Sequence, residues 1–274
     1  MIGIDFGASY VDAVVLEGGK LRKAYSIPQA DYDERFLLNI IRKELGNGHG
    51  VSITGIRAGK VAAVRKRSAG LKALEKKVKV REFGEMAAIA EGAKFLTGKK
   101  RLVVVNVGTG TPFILVDGKK YSHIAGTGIG GGTLEGLGRL LLSADVSEIE
   151  EIAGEGHLDL TIGDLIGKRF GKLPGNVTAS NFGRAARETA FNREEIASSV
   201  IKLVAESLGV MGILAARSQK SSEIVFTGRV VEENALVRKR IAEAVRLFGG
   251  KAIFPKNGKY CTAIGAAILG ERDQ

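Results

Sequence analysis

Three short glycine turns stand at the ends of apolar, strand-like segments. They are Asp5-Phe6-Gly7-Ala8-Ser9, Asn106-Val107-Gly108-Thr109-Gly110-Thr111 and Thr227-Gly228. A turn of this kind lets successive backbone N–H groups point inward as a nest for an anion. The hydroxyls of Ser9, Thr109 and Thr111 add donors. A fourth stretch, GTGIGGGTLEG from Gly126 to Gly136, has six glycines in eleven residues and runs directly into LGRLLL. Glycine costs about 0.5–1 kcal/mol per residue in regular structure relative to alanine, so the run needs a cause. A helix start offers free N–H groups and the positive end of a dipole to phosphate. Gly130, Gly131, Gly132 and Thr133 are therefore expected phosphate contacts. A single glycine turn carries little information, because tight turns use glycine widely. Two matching turns beside a glycine-rich helix start point to nucleotide phosphate. Asp5 ends the first strand, where burying an acid is costly. Facing a triphosphate it would hold Mg²⁺ through water; the alternative is a capping acid bonded to its own turn.

The elements that must position these residues follow an α/β plan. Ile2 to Phe6, Tyr10 to Leu16 and Leu21 to Ile27 read as strands, with a hairpin turn at Gly18-Gly19. Asp31 to Leu45 reads as an amphipathic helix, Val51 to Thr54 and Val78 to Arg81 as strands, and REFGEM as the entry to a helix ending near Leu96. The pattern then restarts. Leu102 to Val107 is a strand, and Pro112 to Val116 with Lys119 to Ile124 make a second hairpin around Asp117-Gly118. Asp5-Phe-Gly7 lines up with Asn106-Val-Gly108 at an offset of 101, and Leu16-Glu17-Gly18 with Val116-Asp117-Gly118 at 100. The chain thus contains two copies of strand, glycine turn and hairpin. Helices are expected over Thr133–Leu142, Asp145–Ala153, Asn192–Ser218, Glu232–Phe248 and Thr262–Leu269, with strands at Ile224–Phe226 and Lys251–Phe254. The expected architecture is two lobes, residues 1–98 and 99–259, with a cleft between them and a C-terminal helix, 260–274, packing back on the first.

Composition narrows the classes. With 274 residues and 45% apolar content the chain can bury a large core. A single cysteine, Cys261, excludes a disulfide framework and any cysteine cluster within one chain. The N-terminal sequence does not read as a signal peptide, and no uncharged apolar run reaches about 18 residues, so a soluble, cytoplasmic protein is expected. The net charge is +11, and much of it lies between Arg57 and Arg81, where ten Lys or Arg residues face one acid, Glu75. That stretch has no aromatic residue to stack a base, which favours a solvated or ligand-steering basic helix over a nucleic-acid surface.

The two-copy plan resembles the superfamily of actin, Hsp70 and sugar kinases, with its ribonuclease H-like, actin-like ATPase fold. Within it, NVGTGT, VDGKKY and AGTGIGGGTLEGLGRLL are similar to signatures of type II pantothenate kinases. LPGNVTASNFG and NGKYCTAIGAAIL resemble later parts of the same family. The resemblance implies ATP- and Mg²⁺-dependent phosphorylation of the primary hydroxyl of pantothenate, the first step of coenzyme A synthesis. It implies a general base at a Glu that is followed by an apolar residue, between a strand end and a helix. REF gives Glu82, with Glu85 the competitor one helical turn on. Nucleotide contacts are implied at Asp5, Gly7, Ala8, Ser9, Gly108, Thr109, Gly110, Gly130 to Thr133 and Gly228. Acceptor contacts are implied at His123, Gly126, Thr127 and Asn181, and a homodimer through the long helix containing Ile196 to Leu214.

The sequence departs from the family at three places. Ala8 stands where the family has Gly, and Asp12 where it has Lys, so that an anion replaces a cation near phosphate; Arg57 or Lys60 would have to compensate. Ser122 and His123 stand at an Arg pair whose second member holds the pantothenate carboxylate, so a bidentate fork is lost. The last is Thr54-Gly55-Ile56 in place of TGG. These changes leave open a same-fold kinase for a related alcohol such as pantetheine, or a non-catalytic ATP- or CoA-binding regulator. An ATPase activator of the dehydratase-reductase type would need paired cysteines.

Overall fold

The computed structural model describes residues 1–32, 39–41, 43–44, 50–55 and 80–273. The basic stretch from Arg57 to Lys79, most of the expected helix after Asp31, and Ile56 lie outside the described residues.

Ile2–Phe6 (β1), Tyr10–Glu17 (β2) and Lys20–Pro28 (β3) form an antiparallel meander, and Val51–Thr54 (β4) and Val80–Glu82 (β5) extend it in parallel. The strand order is β3-β2-β1-β4-β5. Further on come Arg101–Asn106 (β6), Thr111–Asp117 (β7), Lys120–Thr127 (β8), Leu160–Thr161 (β9), Arg169–Phe170 (β10), Leu173–Pro174 (β11), Thr178–Ser180 (β12), Glu223–Thr227 (β13) and Lys251–Ile253 (β14). The second five-stranded sheet runs β8-β7-β6-β13-β14. Each sheet is thus one three-strand run of consecutive strands followed by two later strands. The repeat seen as matching turns extends to the whole sheet topology. The described helices are Glu85–Thr97 (α1), Gly131–Leu142 (α2), Val146–Ile152 (α3), Ile162–Ile166 (α4), Arg193–Ser218 (α5), Arg229–Glu233 (α6), Ala235–Leu247 (α7) and Cys261–Arg272 (α8).

Two compact units result. One holds Met1–Asn106, Ile114–Ile124 and Pro255–Gln274; the other holds Val107–Phe113 and Ala125–Phe254. In the first, alternation along the strands sorts side chains to two faces. Ile2, Ile4, Phe6, Val11, Ala13 and Val15 form one core with Val51 and Ile53. On the opposite face Val14 and Leu16 pack against Ala263, Ile264 and Ala267 of α8. Gly3 lies on that face, and its missing side chain admits α8: a Cβ there would sit 2.1 Å from the Ala263 carbonyl. α8 packs as closely on α1, where a Cβ on Gly92 would meet the Cys261 carbonyl at 1.9 Å.

The second unit is built around α5. Its sequence is long and apolar enough to cross a membrane, but 61% of that apolar window is buried inside the structure, as a core helix requires. One expected helix, Glu232–Phe248, is interrupted. Asn234 is extended (φ −111°, ψ 108°) and its amide donates to the Val230 carbonyl at 2.9 Å, while the next helix begins with Leu236 N–H donating to Glu150 at 2.6 Å. Asparagine competes for backbone partners in this way wherever a helix can break.

Candidate active site

In the second unit the glycine loop docks onto the second glycine turn. Gly131 N–H donates to the Gly108 carbonyl at 2.7 Å, and Gly132 N–H to the Thr109 carbonyl at 3.1 Å. A Cβ on Gly130 would lie 2.8 Å from the Gly108 oxygen and 2.9 Å from the Thr109 oxygen. These contacts explain the cost of the glycines differently from what the sequence suggests. The bare backbone faces another piece of backbone, and the first-turn N–H groups of α2 are already engaged. Gly130 N–H donates to Thr133 Oγ1 at 3.3 Å, and Thr133 N–H to the Gly130 carbonyl at 3.1 Å. The hydroxyls complete the junction: Thr111 donates to the Ile129 carbonyl at 2.8 Å, and Thr127 accepts from Ile129 N–H at 3.1 Å. Thr109 and Gly110 are left exposed at the tip. The helix dipole still favours an anion there.

The third turn is fixed to the second. Val107 N–H donates to the Thr227 carbonyl at 2.8 Å, and Gly228 has φ +105° with a would-be Cβ only 2.2 Å from the Val107 oxygen. No other residue fits there. Gly108, Thr109, Gly110, Gly130, Gly131, Gly132, Thr133 and Gly228 thus form one cluster.

The first unit carries an acidic cluster of its own. Asp5 lies on the α8 face of the sheet, directly opposite Asp12 in the β1–β2 register. Its Oδ1 is sealed from solvent with no hydrogen-bond partner among the described residues. Burial first, then the Glu85 and Asp12 carboxylates, hold Asp5 well above the usual carboxylate range, while the Thr262 hydroxyl pulls the other way. Gly55 (φ +104°) leaves room for Asp5, since its Cβ would stand 2.4 Å from Oδ1. An orphaned carboxylate oxygen amid negative charge fits a cation. Among the described residues no group of three or more His, Cys, Asp or Glu side chains is placed to hold a metal ion. A divalent ion at Asp5 must therefore take most of its ligands from phosphate and water, as Mg²⁺ does. Gly7 and Ala8 of the same turn are part-buried and Ser9 is exposed.

Glu82 is exposed at the end of β5. Glu85 opens α1, is half-buried, and burial raises its carboxyl above the ordinary range. Of these two glutamates it is Glu85 whose charge acts on Asp5. Ser122, His123 and Gly126 are exposed on β8. Asn181 follows β12, with Nδ2 buried and unpartnered among the described residues. The next residue, Phe182, is held in the left-handed region (φ 57°) by its N–H donating to Asp159 Oδ1 at 2.8 Å. Asp159 is in turn ion-paired with Lys202 of α5 at 3.1 Å, and both side chains are buried. This pair is absent from the sequence reading. Its signal was a lysine on the apolar side of a long helix, whose neutralisation the fold has to supply.

Residues 102–269 match the family Fumble. The type II pantothenate kinase of Bacillus thuringiensis subsp. konkukian is 27% identical over 280 residues, covering 97% of this chain and 96% of that protein. The type II pantothenate kinase of Staphylococcus epidermidis is 31% identical over 198 residues, covering 68% and 75%. Among solved structures, Acidaminococcus fermentans (R)-2-hydroxyglutaryl-CoA dehydratase component A aligns with TM-score 0.64 at 18% identity, over 100% of this chain and 99% of that one. A ROK family glucokinase from Streptomyces griseus aligns with TM-score 0.59 at 15% identity, over 99% of each. At such identities the structural matches establish the fold, that of the actin-like ATPases and sugar kinases. The sequence matches establish more: this chain belongs to the Fumble family, alongside type II pantothenate kinases.

Proposed function

We propose that the protein transfers the γ-phosphoryl group of ATP to the primary hydroxyl of pantothenate, the opening step of coenzyme A synthesis. The observation that carries this reading is similarity along nearly the whole chain to relatives named as type II pantothenate kinases. The docked glycine cluster supports it, because a kinase needs a rigid backbone cradle for the nucleotide phosphates. The bound nucleotide in the glucokinase neighbour, described as a complex with AMPPNP, fits the same use of the fold.

In this reading the exposed tip at Thr109 and Gly110, with the dipole of α2 behind it, holds the β- and γ-phosphates. Asp5 holds Mg²⁺ through water, and the ion when bound supplies charge neutralisation for the phosphoryl oxygens. Glu85, rather than Glu82, is the general base. Its carboxylate accepts the hydroxyl proton, the alcohol oxygen forms the new bond to phosphorus, and ADP leaves with the electrons of the broken bond. Partial burial tunes it towards that task by raising its proton affinity. Asn181, with its unpartnered amide, is suited to a carbonyl of the acceptor, and His123 to its carboxylate.

The protein acts as a homodimer through the α2–α5 side of the second unit. Leu140 and Leu141 on α2 and Leu214 on α5 are 79%, 45% and 58% exposed, and the two helices pack on each other, so a partner on this side would cover exposed apolar side chains.

Coupled ADP detection over a panel of alcohols tests the reading. Mg²⁺-dependent ADP release with pantothenate is expected. Turnover with pantetheine but not pantothenate would reassign the acceptor, and tight nucleotide binding without turnover on any alcohol would remove the catalytic reading.

A further inference from the structure

The C-terminal ends of α1 and α8 meet at a cavity of about 660 Å³ in the first unit. The same two helices begin at the Asp5 site, α1 with Glu85 and α8 with Thr262 beside Asp5. At 1.5 Å per residue the α1 residues that line the cavity, Glu91, Lys94 and Phe95, lie about 9–15 Å along the helix from Glu85. Its lining includes the apolar Leu16, Phe95 and Ile268. The charged part of the lining is mostly cationic: Lys94, Lys99, Lys100, Lys119 and Arg272 against Glu91 and Glu271.

The charges are not equivalent. Glu91 is nearly buried and is shared, pairing Lys94 at 2.5 Å through Oε1 and Arg272 at 2.7 Å through Oε2. Lys94 also donates to the Gly118 carbonyl at 3.0 Å, which ties α1 to the turn between β7 and β8. That turn carries Lys119, and its Gly118 N–H donates to the Lys100 carbonyl at 2.8 Å. Lys100 and Lys119 thus stand on adjoining backbone in the cavity lining, and neither has an ion-pair partner among the described residues. Two lysines without an ion-pair partner, in one lining with the apolar Leu16, Phe95 and Ile268, are a recognition pattern for one kind of molecule, an anionic head on a short apolar body.

We propose that this cavity is a second ligand site, separate from the glycine cluster and the Asp5 carboxylates, that takes small amphipathic organic phosphates. Lys100 and Lys119 bind the phosphate head, and Phe95 and Ile268 receive the apolar body. The Glu91 bridge between α1 and α8 is part of the same lining.

Isothermal titration of the full chain with n-butyl phosphate, with inorganic phosphate as the head-only control, tests this. Saturable one-to-one binding of butyl phosphate is expected, tighter than that of inorganic phosphate, and retained with a saturating non-hydrolysable ATP analogue and Mg²⁺ present. The Lys100→Glu/Lys119→Glu variant changes two exposed side chains and should weaken it about tenfold, whereas Lys239→Glu on α7, equally exposed, should leave it unchanged. Absence of saturable binding, displacement by the nucleotide analogue, or indifference to the double reversal would each overturn the site. Equal affinity for inorganic phosphate would overturn the apolar half of its specificity.

Discussion

Glu82 and Glu85 are each followed by an apolar residue (Phe83 and Met86), the first at the end of β5 and the second at the start of α1. The family resemblance prefers the first, on the match of REF to its motif. The fold separates them by burial: Glu82 is exposed, and Glu85 is half-buried beside the Asp5 carboxylate. Glu85→Gln is expected to lower kcat by about 10²–10⁴, the usual range for loss of a general base, while Glu82→Gln stays near wild type in the same assay. The pH–rate profile gives a second readout. The base must be ionised, and burial raises its pKa, so the acid limb of kcat falls above the ordinary carboxylate value of about 4.3 and persists in Glu82→Gln. The same shift opposes stability as pH rises. The folded protein keeps this proton to higher pH than the unfolded chain, so the group's contribution is greatest below the ordinary value and declines as pH climbs through the raised one.

At the scale of elements, the glycine loop was legible as a site but not as a structure. The residues promised free N–H donors; the fold instead uses those donors to dock α2 on the Gly108–Gly110 turn. A pattern of glycines states that something approaches closely, and only the tertiary partner says what. The two classes of glycine predict opposite outcomes. Gly130→Ala forces a Cβ against two carbonyl oxygens at under 3 Å and should cost about 1–3 kcal/mol of stability, together with most of the nucleotide affinity. Gly136→Ala, six residues on in the same helix with open space around it, should stabilise by up to about 1 kcal/mol. Thermal melts with and without nucleotide separate the two. Strands and long helices were legible because their periods of two and 3.6 are strong. The short strands Leu160–Thr161 and Thr178–Ser180 were not, since two or three residues hold no period, and their pairing is non-local. The break at Asn234 escaped notice because helical periodicity continues on both sides of it.

At the scale of the whole molecule, the duplication read from two matching turns proves to be a duplication of sheet topology, with the strands ordered alike in both sheets. The family and the fold were therefore open to reading from motifs spread along the chain. Positions that depend on which side chain is buried were not. The exposed leucines of α2 and α5 bear on assembly. Wild-type protein is expected to sediment as a dimer, and Leu140→Glu/Leu214→Glu to shift towards monomer with its melting temperature little changed; a wild-type monomer at micromolar concentration would contradict the assembly.

The central claim is the reaction itself. The most direct measurement is ³¹P NMR or mass spectrometry of the product after purified protein is incubated with ATP, Mg²⁺ and pantothenate. One equivalent of 4′-phosphopantothenate per ADP, lost on omission of Mg²⁺ and in Glu85→Gln, is the predicted result. ADP without phosphorylated pantothenate, or phosphorylation of another alcohol while pantothenate is returned intact, would contradict it.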